Sequence, residues 1–166
     1  MKKFSLIGIA AVALSAVARA QPATATVQVT VLGAVQMTAS GTTDFGPVGT
    51  QVGTKTINPN TPVGAQQTAA FTANGTANAT IVVQFDASLD LCHQTAGCGT
   101  KIVFTPNLSA CGCNNQPSSS LIPSGGAAVL NGGGQHFFWL GGSINVQSNP
   151  IPGLYSGTFT LSASYQ

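Results

Sequence analysis

Charge is what this sequence has least of: 5% of its 166 residues are Asp, Glu, Lys or Arg, and glutamate does not occur at all. Acid–base and nucleophilic catalysis need ionisable groups, and three aspartates, Asp44, Asp86 and Asp90, are the whole carboxylate inventory. No nucleophile elbow is present, and the Asp86–Asp90 spacing does not match a calcium-binding loop. The expectation is a protein that is not an enzyme, with no catalytic residues, no metal and no cofactor. Basic residues are as scarce. Of five, Lys2, Lys3 and Arg19 fall in the first twenty positions, which leaves no basic stripe for a phosphate backbone and excludes nucleic acid as a partner. Helical periodicity is also missing beyond residue 20.

The N-terminus has a definite character. Lys2 and Lys3 precede an apolar run from Phe4 to Val17, and Ala18-Arg19-Ala20 supplies the small-residue pattern of a cleavage site. Residues 1–20 read as a secretory signal peptide, so the mature chain starts at Gln21 and is exported. The run is too short for a membrane span and no other is longer, so a transmembrane protein is not expected. The 146 residues that remain are one domain's worth. They carry Lys55 and Lys101 against the three aspartates, a net charge of −1, so copies of the chain repel one another little.

Cys92, Cys98, Cys111 and Cys113 lie close together, and an even count in an exported chain reads as disulfides. Zinc, with His93 as an additional ligand, is the competing reading, but C-x5-C followed by C-x-C is not a familiar zinc spacing. Bridged Cα atoms prefer separations of roughly 5.5–6 Å, and a Cys111–Cys113 bridge closes a very small ring. Pairing of Cys92 or Cys98 with Cys111 or Cys113 is therefore expected, with the partner of each left open.

Alternating runs bounded by Gly, Pro, Asn and Asp recur throughout, the pattern of an all-β sandwich or barrel. Strands are expected at Ala25–Val31, Ala34–Ala39, Val52–Ile57, Gln67–Ala73, Ala79–Phe85, Lys101–Phe104, Ala127–Leu130, His136–Leu140 and Gly142–Val146, with a long one over Leu154–Tyr165. Asn74-Gly75 and Asn131-Gly-Gly-Gly134 are expected to close hairpins. Gln116 to Gly126 reads as loop. Asp44 suits a turn that caps its own backbone, and Asp86 and Asp90 suit a solvated turn. Phe137, Phe138 and Trp139 read as core, with a sugar-binding platform as the alternative.

Several stretches together resemble a known family. Thr26-Val-Gln-Val-Thr-Val31 leading to Asp44-Phe-Gly-Pro-Val-Gly49 resembles the start of pilin-like domains, and Phe71 to Val82 resembles their central hairpin. Gly141–Val146, Pro152-Gly-Leu-Tyr-Ser-Gly-Thr-Phe-Thr-Leu161 and Tyr165 resemble their C-terminal ending. The chain is thus similar to a bacterial family of secreted pilin-like domains of unknown function, related to spore coat protein U and the archaic chaperone–usher pilins. Those pilins more often carry a cysteine in the first sandwich strand, which Ala34–Ala39 lacks, so no disulfide is carried over and residues 92–113 are expected as a separately stapled insertion.

The resemblance implies an incomplete immunoglobulin-like sandwich over residues 33–166 and a donor strand within 21–32. That strand would point Ala25, Val27, Val29 and Val31 into a neighbouring copy. Tyr155, Phe159, Leu161 and Tyr165 would be the terminal strand's anchors beside the inserted one. It further implies a periplasmic chaperone and an outer-membrane usher as partners, and a cell-surface fibre or coat, serving adhesion or biofilm, as the product. The alternative is a self-complemented secreted sandwich that binds a ligand such as carbohydrate.

Overall fold

The computed structural model describes residues 28–29, 31–49, 52–61, 67–147 and 150–166. The expected signal peptide, residues 1–20, and Ala25 and Val27 of the expected donor strand lie outside the described residues. The chain divides into two units, residues 1–31 and 32–166. In the first, Val29 and Val31 are 87% and 88% exposed.

The second unit is built of antiparallel strands, as the alternating sequence requires. In chain order they are β1 (Gln36–Ser40), β2 (Gly53–Ile57), β3 (Ala69–Asn74), β4 (Thr80–Gln84), β5 (Leu89–His93) and β6 (Gly97–Cys111). After a 3-10 turn at Gln116–Ser118 come β7 (Ser120–Ile122), β8 (Ala127–Val129), β9 (Gln135–Val146), β10 (Tyr155–Ser156) and β11 (Ser162–Tyr165). One sheet has the order β1-β3-β9-β6-β5-β10, with β2 also paired to β9 and β7 to β6. A three-stranded sheet has the order β11-β4-β8. Both sheets feed one apolar cluster. Phe71, Ala73, Phe104, Leu108, Phe138, Leu140 and Ile144 come from the large sheet, and Ile81, Val83 and Ala128 from the small one. This is an all-β, sandwich-like fold.

At its centre lie β6 and β9, joined from Val103↔Asn145 to Cys111↔Phe137. The sequence disguises both as shorter strands. Pro106 breaks the alternation of β6 and has no N–H to give a ladder. It falls, however, between the β5 pairing that ends at Phe104 and the β7 pairing that begins at Leu108. In β9 the break is Gly141-Gly142. Gly142 has φ +144° and sits where a Cβ would strike the carbonyl of Thr105 and the ring of Phe104. Glycine here permits close strand approach rather than a turn, so His136–Leu140 and Gly142–Val146 belong to one strand. The 92–113 stretch, expected as a separately stapled insertion, carries the end of β5 and all of β6, the middle of the sheet.

Both expected Asn-Gly hairpins are also corrected. β3 and β4 belong to different sheets, as do β8 and β9. Each turn instead carries the chain from one sheet to the other, and the two corners lock together. Gly75 N–H donates to the carbonyl of Gly134 (2.8 Å) and Asn78 N–H to that of Leu130 (3.1 Å). Gly134 has φ +76°, and a Cβ on it would collide with the Gly75 carbonyl. The glycines serve the contact between corners, a tertiary demand invisible to a local turn rule.

Candidate functional site

Most aromatic side chains are committed to packing. Phe138 is fully buried in the cluster shared by the two sheets; Trp139 and His136 are nearly buried and Phe137 is half-buried, but neither Phe137 nor Trp139 belongs to that cluster. The polar candidates are committed as well. Asp44 Oδ1 accepts the Gly46 N–H at 2.7 Å, the self-capping turn its position suggests. Asp90 pairs with Lys101 across β5 and β6 at 2.7 Å, both half-exposed. His93 is buried with Nδ1 accepting the N–H groups of Thr95 and Ala96, which leaves Nε2–H to donate to the Pro152 carbonyl at 3.2 Å. Among the described residues no three His, Cys, Asp or Glu side chains cluster as metal ligands do. No helix among them is long and apolar enough to cross a membrane. Asp86 borders a shallow, open depression of about 520 Å³ with Gln84, Phe85, Ser124, Thr160 and Ser162. Its Ser124 hydroxyl is already spent on both backbone groups of Phe85.

What stands out is a seam between the sheets. β1 pairs only with β3 and β11 only with β4, so each leaves one edge without a ladder among the described residues. The edges pass close, with some Cα atoms within 8 Å. Edge strands usually carry Lys, Pro or a bulge that discourages pairing with another chain. Gln-Met-Thr-Ala-Ser and Ser-Ala-Ser-Tyr carry no charge and no proline. Their inward faces are only partly covered. Val35 and Met37 rest half-buried on the core, but Ala39, next in the same alternation, is exposed. On the other side Phe159, Ala163 and Tyr165 are half-buried against the same cluster, and Leu161 is buried.

The four anticipated terminal anchors therefore divide. Phe159 packs edge-on to Phe71 (5.8 Å between ring centres) and lies 5.7 Å from Phe85. Tyr165 accepts the Thr76 N–H at 2.6 Å and donates to the Thr76 hydroxyl at 3.3 Å, which ties the end of β11 to the β3–β4 corner. Tyr155 stands elsewhere: β10 pairs with β5 in the large sheet, and its ring meets that of His93 at 5.0 Å. The expected single strand over Leu154–Tyr165 is two, because the chain crosses between sheets after Ser156. Gly157 allows this by lying where a Cβ would press on the Asp90 carbonyl. Val29 and Val31 of the expected donor strand are exposed, and Ala25 and Val27 fall outside the described residues.

All four cysteines are bridged, but not as anticipated. The pairs are Cys92–Cys98, with Cα atoms 4.5 Å apart, and Cys111–Cys113, 5.1 Å apart. Cross-pairing fails because Cys98 and Cys111 lie near opposite ends of β6. They are thirteen positions apart on extended chain, roughly 40 Å, against the ~7 Å limit for a bridge. The β5–β6 hairpin brings Cys92 and Cys98 face to face, and a bend at Gly112 does so for Cys111 and Cys113. Reading Lys101–Phe104 as a short strand concealed that distance.

Comparison with curated proteins returns no match. The model of one family covers residues 10–165, almost the whole sequence and with it both sheets, both disulfides and the seam: the chain belongs to DUF4402, a family described as a domain of unknown function.

Proposed function

We propose that this chain is an exported structural subunit of a surface fibre or coat, assembled when the alternating strand Ala25–Val31 of one copy enters the β1/β11 seam of the next. The observation that carries this reading is the pair of uncharged edges, unladdered among the described residues, that flank a partly covered core. An added strand would satisfy the outward N–H and C=O groups of both, while alternate side chains fill the gap beside Met37, Ala39, Phe159 and Ala163. Val29 and Val31 are exposed and of the right type for this. Neighbouring strands sit about 4.7–4.9 Å apart, so one placed between two others needs nearly 10 Å. Edges now within 8 Å at their nearest must part by at least about 2 Å there. Holding the seam apart is the work a periplasmic chaperone would do before an outer-membrane usher adds the next subunit, as the resemblance to chaperone–usher pilins suggests. The two disulfides fit an oxidising compartment.

The test places a charge on each face of the donated strand. Val29→Asp would set an unpaired carboxylate in an apolar groove, at a cost of several kcal/mol per junction, and assembly measured by sedimentation and electron microscopy should stop. Gln28→Asp, on the other face, should assemble as wild type does. Equal assembly by both variants overturns strand donation. Should the intact chain stay monomeric at high concentration while removal of residues 21–31 unfolds it, the strand completes its own sandwich.

A further inference from the structure

The two disulfides sit in different settings. Cys92–Cys98 spans the β5–β6 hairpin, where Cys92 pairs with Lys101 and His93 with Gly97. His93 Nδ1 also holds the turn through the N–H groups of Thr95 and Ala96. The register shifts between Cys92 and His93, so Cys98 stands at an irregularity of the ladder, but Gly97 and Lys101 on either side of it keep their partners and would hold the reduced thiols near one another. Cys111–Gly112–Cys113 has no ladder across it. It lies where β6 stops, with Cys111 half-buried and Cys113 exposed. Residues two apart on a strand are about 6.6 Å apart, so the observed 5.1 Å exists only because the chain bends away at Gly112. A ring this small also restrains the unfolded chain less than any longer loop, so stabilisation explains the bridge poorly.

Its surroundings suit exchange chemistry. The Cys113 N–H points at Cys111 Sγ, 3.1 Å away, and would stabilise a thiolate there. The bend is held independently of the sulfurs: Asn131 Nδ2 donates to the Gly112 carbonyl at 2.8 Å, while Asn131 Oδ1 accepts the N–H groups of Gly133 and Gln135. The loop has an anchor that survives opening of the bridge.

We propose that Cys111–Gly112–Cys113 is a thiol-exchange site that takes up a small thiol of the glutathione class on Cys113. The incoming thiolate attacks the exposed Cys113 Sγ and forms a new S–S bond with it. The Cys111–Cys113 bond breaks, and its electron pair leaves on Cys111 Sγ as a thiolate facing the Cys113 N–H. A second thiolate can then attack the adduct sulfur, releasing the oxidised small-molecule disulfide and leaving both cysteines reduced: two thiols are oxidised and one bridge is reduced.

The experiment equilibrates the oxidised full chain in buffers of reduced and oxidised glutathione, quenches with acid, alkylates and maps the peptides by mass spectrometry. Cys111–Cys113 should reach half-reduction at a [GSH]²/[GSSG] ratio at least tenfold lower than Cys92–Cys98. Glutathione should be at least tenfold more abundant on Cys113 than on Cys111, with the far-ultraviolet circular dichroism unchanged. The Cys92→Ser/Cys98→Ser double variant should exchange at Cys113 at the wild-type ratio, as a local site requires. Opening of Cys92–Cys98 at the same or a lower ratio, glutathione found chiefly on Cys111, or loss of exchange in the double variant overturns the assignment. None of these outcomes depends on whether the chain assembles.

Discussion

The middle of the large sheet and the β1/β11 seam are made from similar residue types yet stand at opposite limits of completion. The backbone of β9 is laddered on both sides along most of its length and that of β6 at Val103–Phe104 and Leu108–Ala110, and Leu108, Phe138 and Leu140 are enclosed. At the seam, Met37, Phe159 and Tyr165 lie on the same continuous cluster but are only half-covered, beside edges without a ladder among the described residues. Composition does not separate the regions; the number of neighbouring strands does. The centre is where burial concentrates, and the seam is where apolar surface is left half-covered.

The largest effect expected from this contrast is at the centre. Phe138→Ala removes a ring with no exposed surface, next to His136 and between the β3 and β6 ladders. Large-to-small replacement of such a residue costs about 3–5 kcal/mol, a large part of a typical domain's stability. Thermal or denaturant unfolding should show it, with little change in denaturant slope. Met37→Ala, half-buried at the seam, should cost a small part of that. Comparable losses at the two sites would mean the seam is already closed.

The regions also differ in how far sequence reveals them. Strand existence and the all-β class follow from alternation, and β1, β2, β3, β4 and β8 stand within a few residues of where it puts them. Sheet membership does not. Asn74-Gly75 and Asn131–Gly134 satisfy every local requirement of a hairpin, yet each corner is fixed by the other, across the gap between sheets. Pro106 and Gly141-Gly142 read as interruptions because the gap between β5 and β7, and the closeness of Phe104, exist only in the folded chain. The disulfide error descends from that one: a β6 cut to four residues leaves Cys98 and Cys111 free to meet. Of the seam, the alternation of Val35, Met37, Phe159, Leu161 and Tyr165 was legible, and so was the lack of charge. That two uncharged edges come to lie side by side was not.

A charge at the seam should separate folding from association. By alternation Ala39 faces the core side of β1, but it is exposed, so Ala39→Lys meets water in the lone subunit. Surface replacements of this kind usually change stability by less than about 0.5 kcal/mol. If a strand from another copy enters beside β1, the same lysine would be trapped in an apolar groove and assembly should fall sharply. Thr38→Lys, on the opposite face of β1, should leave both properties near wild type. The comparison breaks if Ala39→Lys unfolds the subunit, or if it assembles as readily as Thr38→Lys.

The smallest effect lies at the centre's margin and depends on pH. His136 is buried in β9, 5.1 Å from the ring of Phe138, with Nδ1–H donating to the Val129 carbonyl at 2.8 Å. Burial disfavours the charged ring and lowers its pKa below 6.5, and the hydrogen bond to Val129 offsets this in part. The unfolded chain then binds a proton at a pH where the folded protein does not. The stability gained by keeping His136 neutral is complete above pH 6.5 and declines as the pH falls from there through the lower folded-state value. Melting temperatures should drop on acidification across that window. In His136→Gln, whose amide cannot titrate but can still donate to Val129, this part of the slope should vanish. An NMR titration that placed the His136 midpoint at or above 6.5, or equal slopes in the two proteins, would show that solvent reaches the ring and that the enclosed centre stops short of His136.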